Sequence, residues 1–157
     1  AAFWVQDHAI AGFSGFECDT PGGTCIASRQ YSIVDFGLIR FVRANEHLSA
    51  NETSRMNCGG QIWILNGANH FAKADDKSTM QLNCPIWVNE AQTFNSFVLV
   101  GGSSLAVLSS ATFSGPGVGT TIGKKGITNN WGDVIRVGTV TVPGDAGFDV
   151  TKGGQVQ

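Results

Sequence analysis

Short apolar runs, each closed by Gly, Asn, Asp or Pro, dominate the chain and constrain its fold more than any other feature. Residues 31–42, 61–65, 80–88, 94–100, 105–113, 133–142 and 148–151 have the length and turn-bounded spacing of strands rather than helices. Gly37 interrupts the first run and predicts a bulge or a close backbone approach. In the 133–142 run, Val134, Arg136, Gly138, Val140 and Val142 alternate with Ile135, Val137, Thr139 and Thr141. Neither set is purely polar, as in a strand covered on both sides or lining a barrel. Only residues 43–56 read as helical: Ala44, His47, Leu48 and Ala50 would share one face, with Asn45 as a cap. The Gly-rich stretch 114–126 reads as a loop. No internal repeat, heptad or linker is evident. The expected architecture is one all-β domain over 1–157, a β-barrel or β-sandwich with long Gly-rich loops and at most one short helix. Its expected core is Ile33, Phe36, Ile39, Phe41, Ile62, Ile64, Trp87, Phe97, Leu99, Val107 and Ile135.

Composition bears mainly on partners. With 157 residues the chain is long enough to bury a core of its own. Its net charge is -2 and only 14% of residues are charged, so the basic excess of a nucleic-acid binder is missing. Mean hydropathy is +0.04 and no apolar run reaches the ~20 residues of a membrane span. Neither nucleic acid nor a membrane span is therefore expected.

The four cysteines suggest a compartment. Cys18-Asp-Thr-Pro-Gly-Gly-Thr-Cys25 brackets a strong chain reverser, since Pro presets its φ and Gly accepts positive φ freely. An even cysteine count with no metal-ligand spacing fits an oxidising, extracellular setting. Four cysteines allow three pairings; the turn favours Cys18–Cys25, leaving Cys58–Cys84. Asn51-Glu52-Thr53 is a glycosylation sequon, with Asn51 the acceptor if the chain is secreted. The Ala1-Ala2 start fits the small-residue end left by leader cleavage.

Motifs for catalysis fail on spacing. Gly119 stands one residue too close to Gly123-Lys124 for a phosphate loop, and Lys125 replaces the magnesium-binding hydroxyl. Gly12-Phe-Ser14-Gly15 brings its second glycine one residue early for a nucleophile elbow. His8, His47 and His70 are far apart in sequence, and no zinc spacing appears. Asp145-Ala-Gly147-Phe-Asp149 lacks the calcium-loop pattern and reads as a turn whose carboxylates bond their own backbone. No metal or cofactor is expected. Glu46, Glu52, Glu90 and Asp75-Asp76 are the carboxylates a glycosidase pair would draw on; Glu90 follows the aromatic Trp87 but has no evident partner.

Among the tryptophans, Trp63 and Trp87 lie within apolar runs and are expected in the core. Trp131 stands in Asn129-Asn130-Trp131-Gly132-Asp133, a turn-forming stretch. Two roles compete for it: a contact surface for a sugar or protein made with Asn129 and Asn130, or a cap over the end of a barrel.

The Ala1-Ala2 start, the short Cys18–Cys25 loop, the sequon at Asn51 and the lack of an enzyme motif together resemble a small secreted fungal effector. Within that group the chain resembles the hypersensitive-response-inducing elicitors of plant pathogens. The resemblance implies an extracellular, non-enzymatic protein met by a host protein or glycan. It carries over no site residue by residue. A non-enzymatic binding or elicitor domain is thus the leading expectation. The alternative is a small secreted glycan-active hydrolase using two carboxylates.

Overall fold

The computed structural model describes residues 1–135 and 140–157 and shows a parallel β-solenoid of about six turns. The expected barrel or sandwich is incorrect. Strands adjacent in sequence do not pair as hairpins. Each pairs in parallel with the strand one full turn later, so no antiparallel ladder forms among the described residues. The local signals for a short strand and a tight turn are shared by all three architectures. What separates them is partner choice, which is non-local.

Three faces run along the axis. The first stacks the start of Phe16–Ser28, the start of Ile39–Ala50, then Ile62–Ile64, Pro85–Val88 and Thr112–Ser114. The second stacks Phe3–Val5, the later parts of the same two long strands, then Ala68–Ala74, Thr93–Val100, Ile122–Thr128 and Ala146–Val150. The third stacks Ile10–Phe13, Ile33–Phe36, Arg55–Cys58, Thr79–Leu82, Leu105–Val107, Asp133–Ile135 and Gln155–Val156. The long strands join the first two faces into one sheet; the third is a sheet of its own. The expected strand over 133–142 is seen as far as Ile135, and its residues 136–139 lie outside the described ones.

The corner between the second and third faces is turned by pairs of left-handed residues, most of which are not ordinary turn formers. Gln30 and Tyr31, Glu52 and Thr53, Asp76 and Lys77, and Asn130 and Trp131 all have positive φ. Two successive left-handed residues make the mirror-image turn that tight strand connections use. Here the same turn bends the chain from one parallel sheet to the next. Turns on neighbouring rungs are tied together, with Tyr31 N–H donating to Glu52 O at 3.1 Å and Thr53 N–H to Asp76 O at 2.8 Å.

Just past each turn lies a repeat that the sequence hides. Ser32, Ser54 and Ser78 donate their hydroxyls to Val5 O, Ser28 O and Ala50 O at 2.9, 2.8 and 2.8 Å. Ser104 accepts from Ser78 N–H at 3.0 Å. Gly132 replaces serine on the next rung because its backbone packs so tightly on Val100 that a Cβ would clash with the carbonyl. An internal repeat therefore exists. Different insertions at different corners, such as the bulge between Thr20 and Thr24, vary its length and mask it.

The predicted helix over 43–56 is also corrected: the stretch is the strand Ile39–Ala50, a corner, and the strand Arg55–Cys58. His47 and Leu48 are both fully buried although adjacent, as are Phe71 and Ala72 on the next rung. Two consecutive inward side chains produce the uneven apolar spacing that mimics a helix. The expected loop 114–126 likewise contains strand from Ile122 onward.

The core is built from columns. Phe36, Ile39, Phe41, Ile62, Ile64 and Phe97 are buried as expected. Ile33, Leu99, Val107 and Ile135 are only partly buried, and Trp87 is exposed, so these five are corrections. All five flank inward-facing residues, and a single coil of parallel strands buries only the inward side of each strand. Cys58 and Cys84 are bridged, with their Cα atoms 6.0 Å apart, tying the third face to the corner before Pro85. Cys18 and Cys25 are both buried free thiols, which corrects the expected bridge. Instead, Thr20 Oγ1 lies 3.3 Å from Cys25 Sγ, and that thiol donates to Cys18 O at 3.8 Å. Hydrogen bonding from Cys25 holds the Cys18 thiol below its ordinary pKa and pushes that of Cys25 up.

Candidate functional site

Alternation builds the site. In Ile39-Arg40-Phe41, Ile62-Trp63-Ile64 and Ile86-Trp87-Val88 the outer two residues are fully buried, so the central one must point away from the core. Register then stacks the central residues: Glu17 pairs with Arg40, Arg40 with Trp63, Trp63 with Trp87, and Trp87 with Ser114. Neighbouring strands lie ~4.7–4.9 Å apart, so the column repeats at that interval along the axis.

Trp87 is 36% exposed and Trp63 is half-buried, which corrects their expected place in the core. Arg40 and Glu17 form an exposed ion pair at 3.4 Å, and Arg43 and Asp19 another at 2.7 Å. Arg43 beside Asp19 holds that carboxyl below its ordinary range. Each positive charge on this face is thus matched by a carboxylate. A shallow depression of about 350 Å3 beside Trp63 is lined by Gly15, Phe16, Glu17, Leu38 and Arg40. The result is a face with two indoles in file, a shallow depression beside one of them, the exposed Leu38 and balanced charge.

The sequence-predicted binding residues lie elsewhere. Trp131 is 71% exposed on the corner between the second and third faces, so it is not buried as a cap. Its ring lies over Gly153, whose φ of 77° and missing Cβ leave the indole room. Asn130 is exposed beside it, while the Asn129 amide folds inward against Gly101. The three do not form one surface. Asn51 is half-buried and donates Nδ2 to Ser49 Oγ at 2.9 Å.

Of the titratable candidates only Glu46 and His70 come together, as register partners on neighbouring rungs; the others are scattered. His8 stacks on Tyr31 at the corner, with ring centroids 5.1 Å apart. His47 is in the core, where burial pushes its pKa down to about 3. His70 is half-buried with Nδ1 2.8 Å from Ser96 Oγ, and burial lowers its pKa too. Ser96 is fully buried, so the pair offers no accessible nucleophile. Glu46 is tied to Lys73 at 3.3 Å, Glu52 and Asp76 occupy exposed left-handed turns, Asp75 is half-buried at the corner, and Glu90 is exposed after Val88. The structure does not bring Glu46 and Glu90 together on one column. Asp145 accepts from Gly123 N–H at 2.8 Å and Asp149 pairs with Lys124, so both serve neighbouring strands rather than their own turn. Among the described residues no group of His, Cys, Asp and Glu is placed to hold a metal ion, and no helix is long and apolar enough to cross a membrane.

The signal for the tryptophan file was present in the sequence. Ile-Arg-Phe, Ile-Trp-Ile and Ile-Trp-Val are three copies of one inward–outward–inward pattern. It takes the pairing register to show that their central residues align. No family model, curated protein or solved structure matches the chain.

Proposed function

We propose that this solenoid is a non-enzymatic binding domain whose first face takes an extended glycan along its axis. The observation that carries the proposal is the register pairing of outward Trp63 and Trp87 on consecutive rungs of a parallel sheet. An indole offers a large rigid face to the apolar C–H side of a sugar ring, and its N–H bonds a hydroxyl. Two such rings at a fixed strand spacing match a polymer that repeats along its length. A globular protein partner would call for a broad patch around a central anchor, whereas this column is one side chain wide. Nucleic acid fits poorly, because Arg40 and Arg43 are each neutralised by a carboxylate. The reading keeps the class expected from the sequence, a non-enzymatic binder that meets a host protein or glycan, narrows the partner to a glycan, and moves its contact from Trp131 to the Trp63–Trp87 file.

Titration calorimetry against a panel of soluble plant and fungal wall oligosaccharides tests this. The wild-type chain is expected to bind at least one of them, and Trp63→Ala and Trp87→Ala to weaken that binding by tenfold or more. Unchanged binding in both variants rejects the surface. New reducing ends released by the wild type and lost in Glu46→Gln would replace the reading with hydrolysis.

A further inference from the structure

A second feature lies at the corner between the first and second faces. Asn45, Asn69 and Asn95 stack on three successive rungs, all exposed. Asn69 Nδ2 donates to Asn45 Oδ1, and Asn95 Nδ2 donates to Asn69 Oδ1 at 3.0 Å. The ladder lines a groove of about 520 Å3 whose other walls include Asn66, Gln92 and Thr93, with small residues such as Gly67 between them. No charged residue lines it.

Stacked amides stabilise a corner most when water is shut out, and here they are open to it. Their bonding is also directional. Each amide passes its N–H toward the preceding rung, so the ladder itself consumes neither the Asn45 amino group nor the Asn95 carbonyl oxygen. A donor is therefore left at one end of the groove and an acceptor at the other. Amides both donate and accept, as hydroxyls do. A carboxylate or sulfate would enter with no cation among the lining residues to offset its desolvation.

We infer that this groove is a subsite for uncharged, hydroxyl-rich sugar units, selecting neutral glycans over acidic ones. The inference rests on the glycan reading of the adjacent face. The two indoles supply stacking area that is indifferent to linkage chemistry, and the amide groove supplies the discrimination by charge.

The test is 15N-correlated NMR on the full chain, following the side-chain amides of Asn45, Asn69 and Asn95 and the indole N–H groups of Trp63 and Trp87. The probes are neutral hexasaccharides (β-1,4-glucan, β-1,4-xylan, β-1,3-glucan, α-1,4-glucan) and hexagalacturonate. At least one neutral probe is expected to shift both sets of signals, with hexagalacturonate binding tenfold or more weaker. Asn95→Ala should weaken the neutral probe by about tenfold while the melting temperature holds; Asn45→Ala, at the other end of the ladder, serves if Asn95→Ala does not fold. Indole shifts with silent amides would overturn the subsite and leave the glycan face standing. Silence of both sets with every probe would overturn both. Tighter binding of hexagalacturonate than of any neutral probe would overturn the selectivity.

Discussion

The imidazole of His47 lies nearly parallel to the ring of Phe41, with centroids 4.9 Å apart, and neither of its nitrogens has a hydrogen-bond partner. Phe71 and Phe94 close the cluster edge-on. The folded chain therefore holds this histidine neutral, with its pKa pushed from 6.5 down to about 3 by burial. Because the unfolded chain takes up the proton first, stability is full above pH 6.5 and falls as pH drops through the window from 6.5 toward 3. The slope is at most ~1.4 kcal/mol per pH unit for one such group. His70, also lowered by burial, adds a slope of the same sign. His47→Phe should shrink the slope between pH 6.5 and 5 and raise stability at pH 7 by ~1–3 kcal/mol, since two unpartnered buried nitrogens are removed. Urea unfolding at pH 7, 6 and 5 measures both effects; an unaltered slope would refute the assignment.

Phe97 and Trp87 separate burial from hydrophobicity. Phe97 is fully buried against Phe71, Phe94 and Phe113, so Phe97→Ala should cost ~3–5 kcal/mol. Trp87 is the larger side chain but is 36% exposed, and Trp87→Ala should cost clearly less. Thermal melts of the two variants in one buffer decide it, and equal losses would contradict the outward placement.

Trp131 and Gly153 form a testable couple. Trp131→Ala removes a ring that is 71% exposed and should change stability by no more than ~0.5 kcal/mol. Gly153→Ala should cost ~1–2 kcal/mol, because φ is 77° there and the new methyl meets the indole. In the Trp131→Ala background the steric part should vanish and only the backbone cost remain. A double-mutant cycle showing strict additivity would mean that the ring does not cover Gly153.

The cysteines should behave as two classes. Cys58→Ala, which opens the bridge of sequence separation 26, should cost ~3–4 kcal/mol through chain entropy. Cys18 and Cys25 should titrate as two thiols in denaturant without reductant, and far more slowly in the folded chain, where both are buried. Non-reducing peptide mapping that recovered a Cys18–Cys25 peptide in place of the free thiols would overturn this.

Much of this molecule was legible along the chain. Turn residues between short apolar runs signalled an all-β protein, because Gly, Asn, Asp and Pro end strands through local backbone preferences. The inward identity of Ile39, Phe41, Ile62 and Ile64 followed from alternation alone. The bridge between Cys58 and Cys84 was expected only as the remainder of a Cys18–Cys25 pair, and those two cysteines are free thiols in the structure. Period-2 alternation, however, says only which residues share a side of a strand, and it is silent on which strand lies next door. That choice was made by the tertiary structure. Once each strand pairs with the one a full turn later, the serines at positions 32, 54 and 78 fall into one corner ladder. The same pairing files Trp63 behind Trp87 on the outside, and stacks Asn45, Asn69 and Asn95 along one groove. Parallel pairing across a whole turn joins residues far apart in the sequence, and no local propensity encodes it.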